Sequence, residues 1–149
     1  MSKLIATRGA QYVMETEFFF NFDDTMVSKV GTVDGAELDF GKTNIVSTAF
    51  DVINLPAGAV VLAGSLTGET AFDTASYSVS VGDSVTPARY LAAADRKALG
   101  VTNLVPTGYR GEGENIRVTI VNADVCTTGK ATLRVQYITT GRANEVNPN

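Results

Sequence analysis

Residues 76–100, SYSVSVGDSVTPARYLAAADRKALG, change character partway along. In the first part Tyr77, Val79 and Val81 alternate with Ser76, Ser78 and Ser80, which is the two-residue period of a strand with one face buried. Beyond Pro87 the alternation gives way to an alanine-rich, charged run. There Thr86 suits an N-cap, Pro87 the first helical position, Arg96 and Lys97 the negative end of a helix dipole, and Gly100 a left-handed stop. The stretch 86–100 is therefore expected to hold one short helix, or two turns split at Asp95.

The strand period governs the rest of the chain. In NIRVTIV, Ile116, Val118 and Ile120 oppose Arg117 and Thr119; in ATLRVQYIT, Leu133, Val135 and Tyr137 oppose Thr132, Arg134 and Gln136, with Ile138 out of step. VMETEFFFNF places Met14, Phe18, Phe20 and Phe22 on one face against Glu15, Glu17 and Asn21, and Phe19 interrupts the polar side. The runs IVSTAFDVI and AVVLAGSL lack a polar face and read as strands buried on both sides. Between them Pro56 and Gly58 predict a type I turn over 55–58 closing a hairpin, and Asp34-Gly35 predicts a second tight turn.

Seven or eight short strands punctuated by Gly, Asn, Asp and Pro define an all-β expectation: an antiparallel β-sandwich, a jelly roll by preference, with one short helical excursion. The ends lack this pattern, so residues 1–12 and 141–149 are expected to be N- and C-terminal arms flanking a sandwich domain over 13–140.

A chain of 149 residues, 44% hydrophobic, is long enough to bury a core in one domain. Its single cysteine, Cys126, can form no intrachain disulfide and reads as a buried, inert thiol. The opening residues carry no apolar run of signal-peptide length and no membrane span appears, so no membrane is expected and the protein is expected to stay where it is made. A net charge of −4 argues against broad phosphate-backbone binding, so nucleic acid is not an expected partner.

No histidine is present, which removes the usual general base near neutral pH and, with one cysteine, any zinc site built from His and Cys. FGKTN at 40–44 ends like a phosphate loop, but Ala36 stands where the first glycine of that motif is required, so it reads as a surface loop. GYRGEGEN at 108–115 precedes a strand rather than a helix and reads as a flexible connection. Asp83-Ser84 has no base to activate the hydroxyl and reads as a turn. Asp23 and Asp24 read as hairpin-turn aspartates, and Glu15 with Glu17 as a solvated strand face. No enzyme activity, metal or cofactor is expected.

The order of segments carries more than any motif. An N-terminal arm, an early Phe-rich strand, FDVINLPAGAVVLAGSL, YSVSVGDS, ARYLAAADRKALG, and the final pair NIRVTIVN and KATLRVQYITTGRANE together resemble the capsid decoration, or cement, proteins of tailed bacteriophages over roughly residues 13 to 142. The resemblance implies a structural virion protein, assembled in the host cytoplasm, that binds the outer surface of a capsid and bridges major capsid proteins. The resemblance also makes residues 89–100 a contact device at one end of the sandwich, with Tyr90 as aromatic anchor and Arg89, Asp95 and Arg96 as polar contacts. Separately, an isolated sandwich leaves edge strands unpaired and the arms offer a way to cover them, so a homodimer or homotrimer is expected. The alternative is a receptor- or glycan-binding sandwich of a head fibre or lectin-like module, using Tyr90, Tyr109 and Arg110 on loops.

Overall fold

The chain forms ten strands among the described residues. They are β1 (Met14–Asn21), β2 (Thr25–Val27), β3 (Glu37–Asp39), β4 (Thr48–Ile53), β5 (Ala59–Thr70), β6 (Tyr77–Gly82), β7 (Leu91–Asp95), β8 (Gly100–Asn103), β9 (Ile116–Asn122) and β10 (Lys130–Thr139). The structure, a computed structural model, describes residues 12–29, 35–43 and 47–140. The arms expected at 1–12 and 141–149, apart from Tyr12, and Asp34 of the second turn lie outside the described residues.

The strands form two four-stranded antiparallel sheets, β1-β10-β5-β8 and β4-β9-β6-β7, and a separate β2-β3 hairpin. Leaving that hairpin aside, the chain changes sheet at every connection but β6 to β7, and its first and last strands pair. This interleaving is the jelly-roll order.

The two sheets share one interior. Val79 and Val81 of β6, Ile116, Val118 and Ile120 of β9, and Leu133 and Val135 of β10 point into it and are essentially inaccessible. Aromatic rings join the layers: Phe40 stacks on Phe20 at 4.8 Å and on Phe50 at 4.3 Å between centroids, and Phe72 lies nearly parallel to Tyr77 at 3.8 Å. The Tyr77 hydroxyl donates to the Phe40 carbonyl, so the one polar atom this ring carries into the core is satisfied.

The expected helical excursion is absent: no α-helix occurs among the described residues. The alanine-rich run supplies the edge strand of each sheet instead. Leu91 and Ala94 of β7 pair with Val81 and Val79 of β6, and β8 pairs with Ser65–Gly68 of β5. Helix propensity separates these residues by less than about 1 kcal/mol each, which a ladder of long-range hydrogen bonds and inward packing overrides. The residues chosen as helix signals do other work. The Thr86 carbonyl accepts the amides of Asp83 and Arg89 in a turn, both at 3.1 Å, and Gly100, at φ +124°, opens β8. Between Val79 and Val81 a single residue of β6 faces two of β7, and Ala93 takes up the extra length at φ +40°, a bulge on an edge strand.

The predicted 55–58 turn also differs. Its hydrogen bond runs from the Ala59 amide to the Pro56 carbonyl, one residue later than expected, with Gly58 at φ +85°. It carries the chain from β4 in one sheet to β5 in the other and closes no hairpin. The β5-β10 register shifts between Gln136 and Tyr137, where Leu62 of β5 is the extra residue; Ile138 stays on the outer side of β10 and is half-buried.

Gly64 shows how tightly β5 is packed, since a Cβ there would stand 2.4 Å from the Arg134 carbonyl oxygen and 2.6 Å from Leu104 Cδ1. A backbone oxygen cannot move aside as a flexible side chain can. Gly64→Ala is expected to destabilise the fold by about 1–3 kcal/mol, read as a lower urea midpoint at unchanged m-value.

Candidate interaction site

Gly82 ends β6 where the following loop folds straight back, its Cβ position lying 2.2 Å from the Thr86 carbonyl oxygen and 2.5 Å from Pro87. Only glycine fits there. The reversal delivers Asp83 to a site where it is 3% exposed. Its Oδ1 accepts the amides of Val85 at 2.9 Å and Thr86 at 2.7 Å, and Oδ2 accepts from Arg89 Nε. The Arg89 guanidinium lies over the Tyr109 ring, 3.5 Å from its centroid. The Tyr109 hydroxyl donates to Glu114 Oε1 at 2.8 Å, and Glu114 Oε2 accepts the Glu112 amide at 2.6 Å.

This chain of carboxylate, guanidinium, ring, phenol and carboxylate ties the β6-β7 connection to the β8-β9 connection over a floor that includes Leu55, Tyr90 and Ile116. Burial alone would raise the Asp83 pKa; Arg89 and the two amides outweigh it and hold the group below its ordinary value. Amide and phenol hydrogen bonds lower Glu114 in the same way, and the bond to Glu114 raises the Tyr109 phenol. The segment 108–115, expected to be a flexible connection, is thus fastened at both ends.

Arg110 stands beside this cluster. Backbone bonds from Gly111 to Ala59 at 2.9 Å, Gly58 to Gly111 at 2.7 Å and Thr140 to Gly58 at 2.8 Å lock its loop against the start of β5 and the end of β10. Its side chain is exposed and makes no ion pair among the described residues. Because Met14 pairs with Tyr137, the chain enters β1 and leaves β10 at this same end.

The six residues singled out from sequence therefore separate. Arg89, Tyr90, Tyr109 and Arg110 come together at one end, but Tyr90 is 5% exposed and serves the core. Asp95 and Arg96 lie at the opposite end of β7. Arg96 is 6% exposed, and its guanidinium is spent on the carbonyls of Asp95, Leu66 and Gly100 and on the Thr102 hydroxyl. Burial lowers its pKa. Asp83 and Glu114, which orient the cluster, were missed in the sequence. Gly82 directly before Asp83, with Arg89 six residues on, was the available signal.

Elsewhere the polar groups act within the fold. Glu17 pairs with Arg134 at 2.8 Å across β1-β10, and Arg117 with Asp51 at 2.7 Å across β4-β9. Burial pushes the Cys126 thiol up to about 11. At the Arg96 end Asp73 accepts the hydroxyl and amide of Thr127 and the Thr128 amide, which hold it at about 2. Among the described residues no group of three or more His, Cys, Asp or Glu could hold a metal ion, and no helix is long and apolar enough to cross a membrane.

No protein-family model and no curated protein matches this sequence. The fold is similar to solved structures. A chain of the cyanophage Pam1 capsid asymmetric unit superposes with a TM-score of 0.56 at 22% identity, over 93% of this chain and 94% of that one. A chain of the capsid of Ralstonia phage GP4 superposes with a TM-score of 0.52 at 14% identity, over 93% and 90% of the two chains.

Two outcomes follow from this geometry. Arg89→Ala leaves a buried carboxylate without its cation and is expected to cost about 3 kcal/mol in denaturant unfolding. Acidification bears on Asp73: its folded pKa is depressed from 3.8 to about 2, so its stabilising contribution is complete above the ordinary value and is lost as pH falls through the folded one. The melting temperature should drop between about pH 4 and pH 2, and Asp73→Asn should flatten that drop.

Proposed function

We propose that this protein is a structural component of a bacteriophage capsid, a decoration protein that binds the outer surface of the shell and bridges neighbouring major capsid proteins. The observation that carries this reading is the fold likeness, nearly end to end, to chains of two phage capsids. A decoration role asks for contacts repeated by symmetry, and many weak contacts acting together suffice. It needs no catalytic group.

The end bearing Arg110 is the surface we assign to the shell. Its loops are fastened beforehand by the Asp83-Arg89-Tyr109-Glu114 chain, so little ordering cost remains to be met on docking. Met14 of β1 and Thr139 of β10 lie at this end, and we assign residues 1–11 and 141–149 the role of tethers to the shell. The protein then belongs to the virion surface, with major capsid protein and its own copies as partners.

The test is a cryo-EM map of particles carrying the protein, together with occupancy measurements on bare shells. Density on the outer surface, touching more than one shell subunit through the Arg110 end, is expected. Arg110→Glu, and separately deletion of 1–11 or 141–149, should lower occupancy and the heat resistance of the particles without moving the thermal unfolding of the free protein. Absence from the shell together with specific binding on a glycan array would replace this reading with the receptor-binding one.

A further inference from the structure

A sandwich has four sheet edges, and this molecule treats them unequally. In the β4-β9-β6-β7 sheet, the edge at β4 is met by the stretch after β2, whose Lys29 amide donates to the Ala49 carbonyl at 2.9 Å. The edge at β7 carries the bulge at Ala93, with the Ala93 amide turned to Ser80 Oγ at 2.9 Å. Covering and bulging are two ways of preventing strand addition. The other sheet has neither device among its described residues: β1 pairs only with β10, and β8 only with β5.

Both open edges display apolar side chains. Phe19 of β1 is 63% exposed, Val101 of β8 is 63% exposed, and Leu99 just before β8 is 65% exposed. The registers Phe19↔Thr132, Thr132↔Thr67 and Thr67↔Val101 place Phe19 and Val101 in one row across the outer face, at opposite margins. Glu17, Arg134, Ser65 and Asn103 form the adjacent row. Because every neighbouring pair in the sheet is antiparallel, β1 and β8 run in opposite directions. A second copy displaced sideways along the sheet thus presents its β1 antiparallel to β8, with its Phe19 facing Val101.

Charge disfavours one symmetric alternative, β1 against β1. β1 carries Glu15 and Glu17 on its outer face, whereas β8 and its flank through Val105 carry no carboxylate. Two β1 edges brought together would crowd acidic side chains, and like charges on facing strands are destabilising.

We infer that the protein self-associates head to tail, β8 of one copy adding to β1 of the next to continue the sheet. Such a contact is heterologous, so two copies cannot close it; it forms a ring of three or more, or runs on as a filament. The inference concerns this protein alone and does not depend on the shell.

Disulfide trapping decides it. Within one molecule Phe19 and Val101 are three strand spacings apart, about 14 Å, beyond the reach of a disulfide, which needs Cα atoms within about 7 Å. An oxidised mixture of Phe19→Cys and Val101→Cys proteins should give a crosslinked pair that neither variant gives alone, and the double variant should give a ladder or a closed ring. Light scattering on the wild type should find three or more copies, and Val101→Glu, which sets a carboxylate against the acidic β1 edge of the next copy, should return it to a monomer that still unfolds in one cooperative transition. A wild-type species that stops at the dimer, a monomer at the highest soluble concentration, or crosslinks formed equally well by either single variant would overturn the inference.

Discussion

The Tyr77 ring lies flat against Phe72 and its hydroxyl reaches the Phe40 carbonyl, and the two sheets are held in register around that contact. Phe40 in turn stacks between Phe20 of β1 and Phe50 of β4, one strand from each sheet. A flat ring fills a gap between sheets about 10 Å apart better than aliphatic groups of similar area. The cost of carrying a phenol into this interior is met by one hydrogen bond. Everything outside the core, from the fastened loops to the open edges, is positioned by the layers these rings join.

Where one face of a strand is buried, apolar and polar residues alternate along it, and that is why β1, β6, β9 and β10 are legible in the sequence. The alanine-rich run could not. Leu91 and Ala94 become strand residues only because Val81 and Val79 lie beside them, and neither partner is visible in a window centred on Ala92. Pro87 and Gly100, expected as the two limits of a helix, occupy a turn, which suits a fixed φ, and a strand start, which here needs a positive φ. The 55–58 turn was placed within one residue, but which strands it joins is a matter of topology that turn residues do not encode.

The candidate site was legible to the extent that charge and aromaticity mark a surface. Arg89, Tyr109 and Arg110 drew notice for that reason, and they do lie together. Tyr90 and Arg96 drew notice on the same grounds and are core residues: the first lines the floor under the loops, and the second satisfies carbonyls from three separate places. A guanidinium with five donors suits that role as well as it suits a partner's carboxylate. Which role it takes depends on burial, and burial here is created by strands far away in sequence.

The place of β10 in its sheet has a consequence for how the molecule is made. Among the described residues β1 has no sheet partner except β10, and the Glu17-Arg134 pair joins residues 117 positions apart. On a ribosome adding roughly 5–20 residues per second, the Phe-rich first strand waits some 6–23 s before the strand that shelters it exists. During that interval the sheet has a vacancy at its centre as well, since β5 also waits for β10. Among the described strands, β10 is made after β1 and β5 and inserts between them, so this sheet closes late and through contacts distant in sequence, the kind that form slowly.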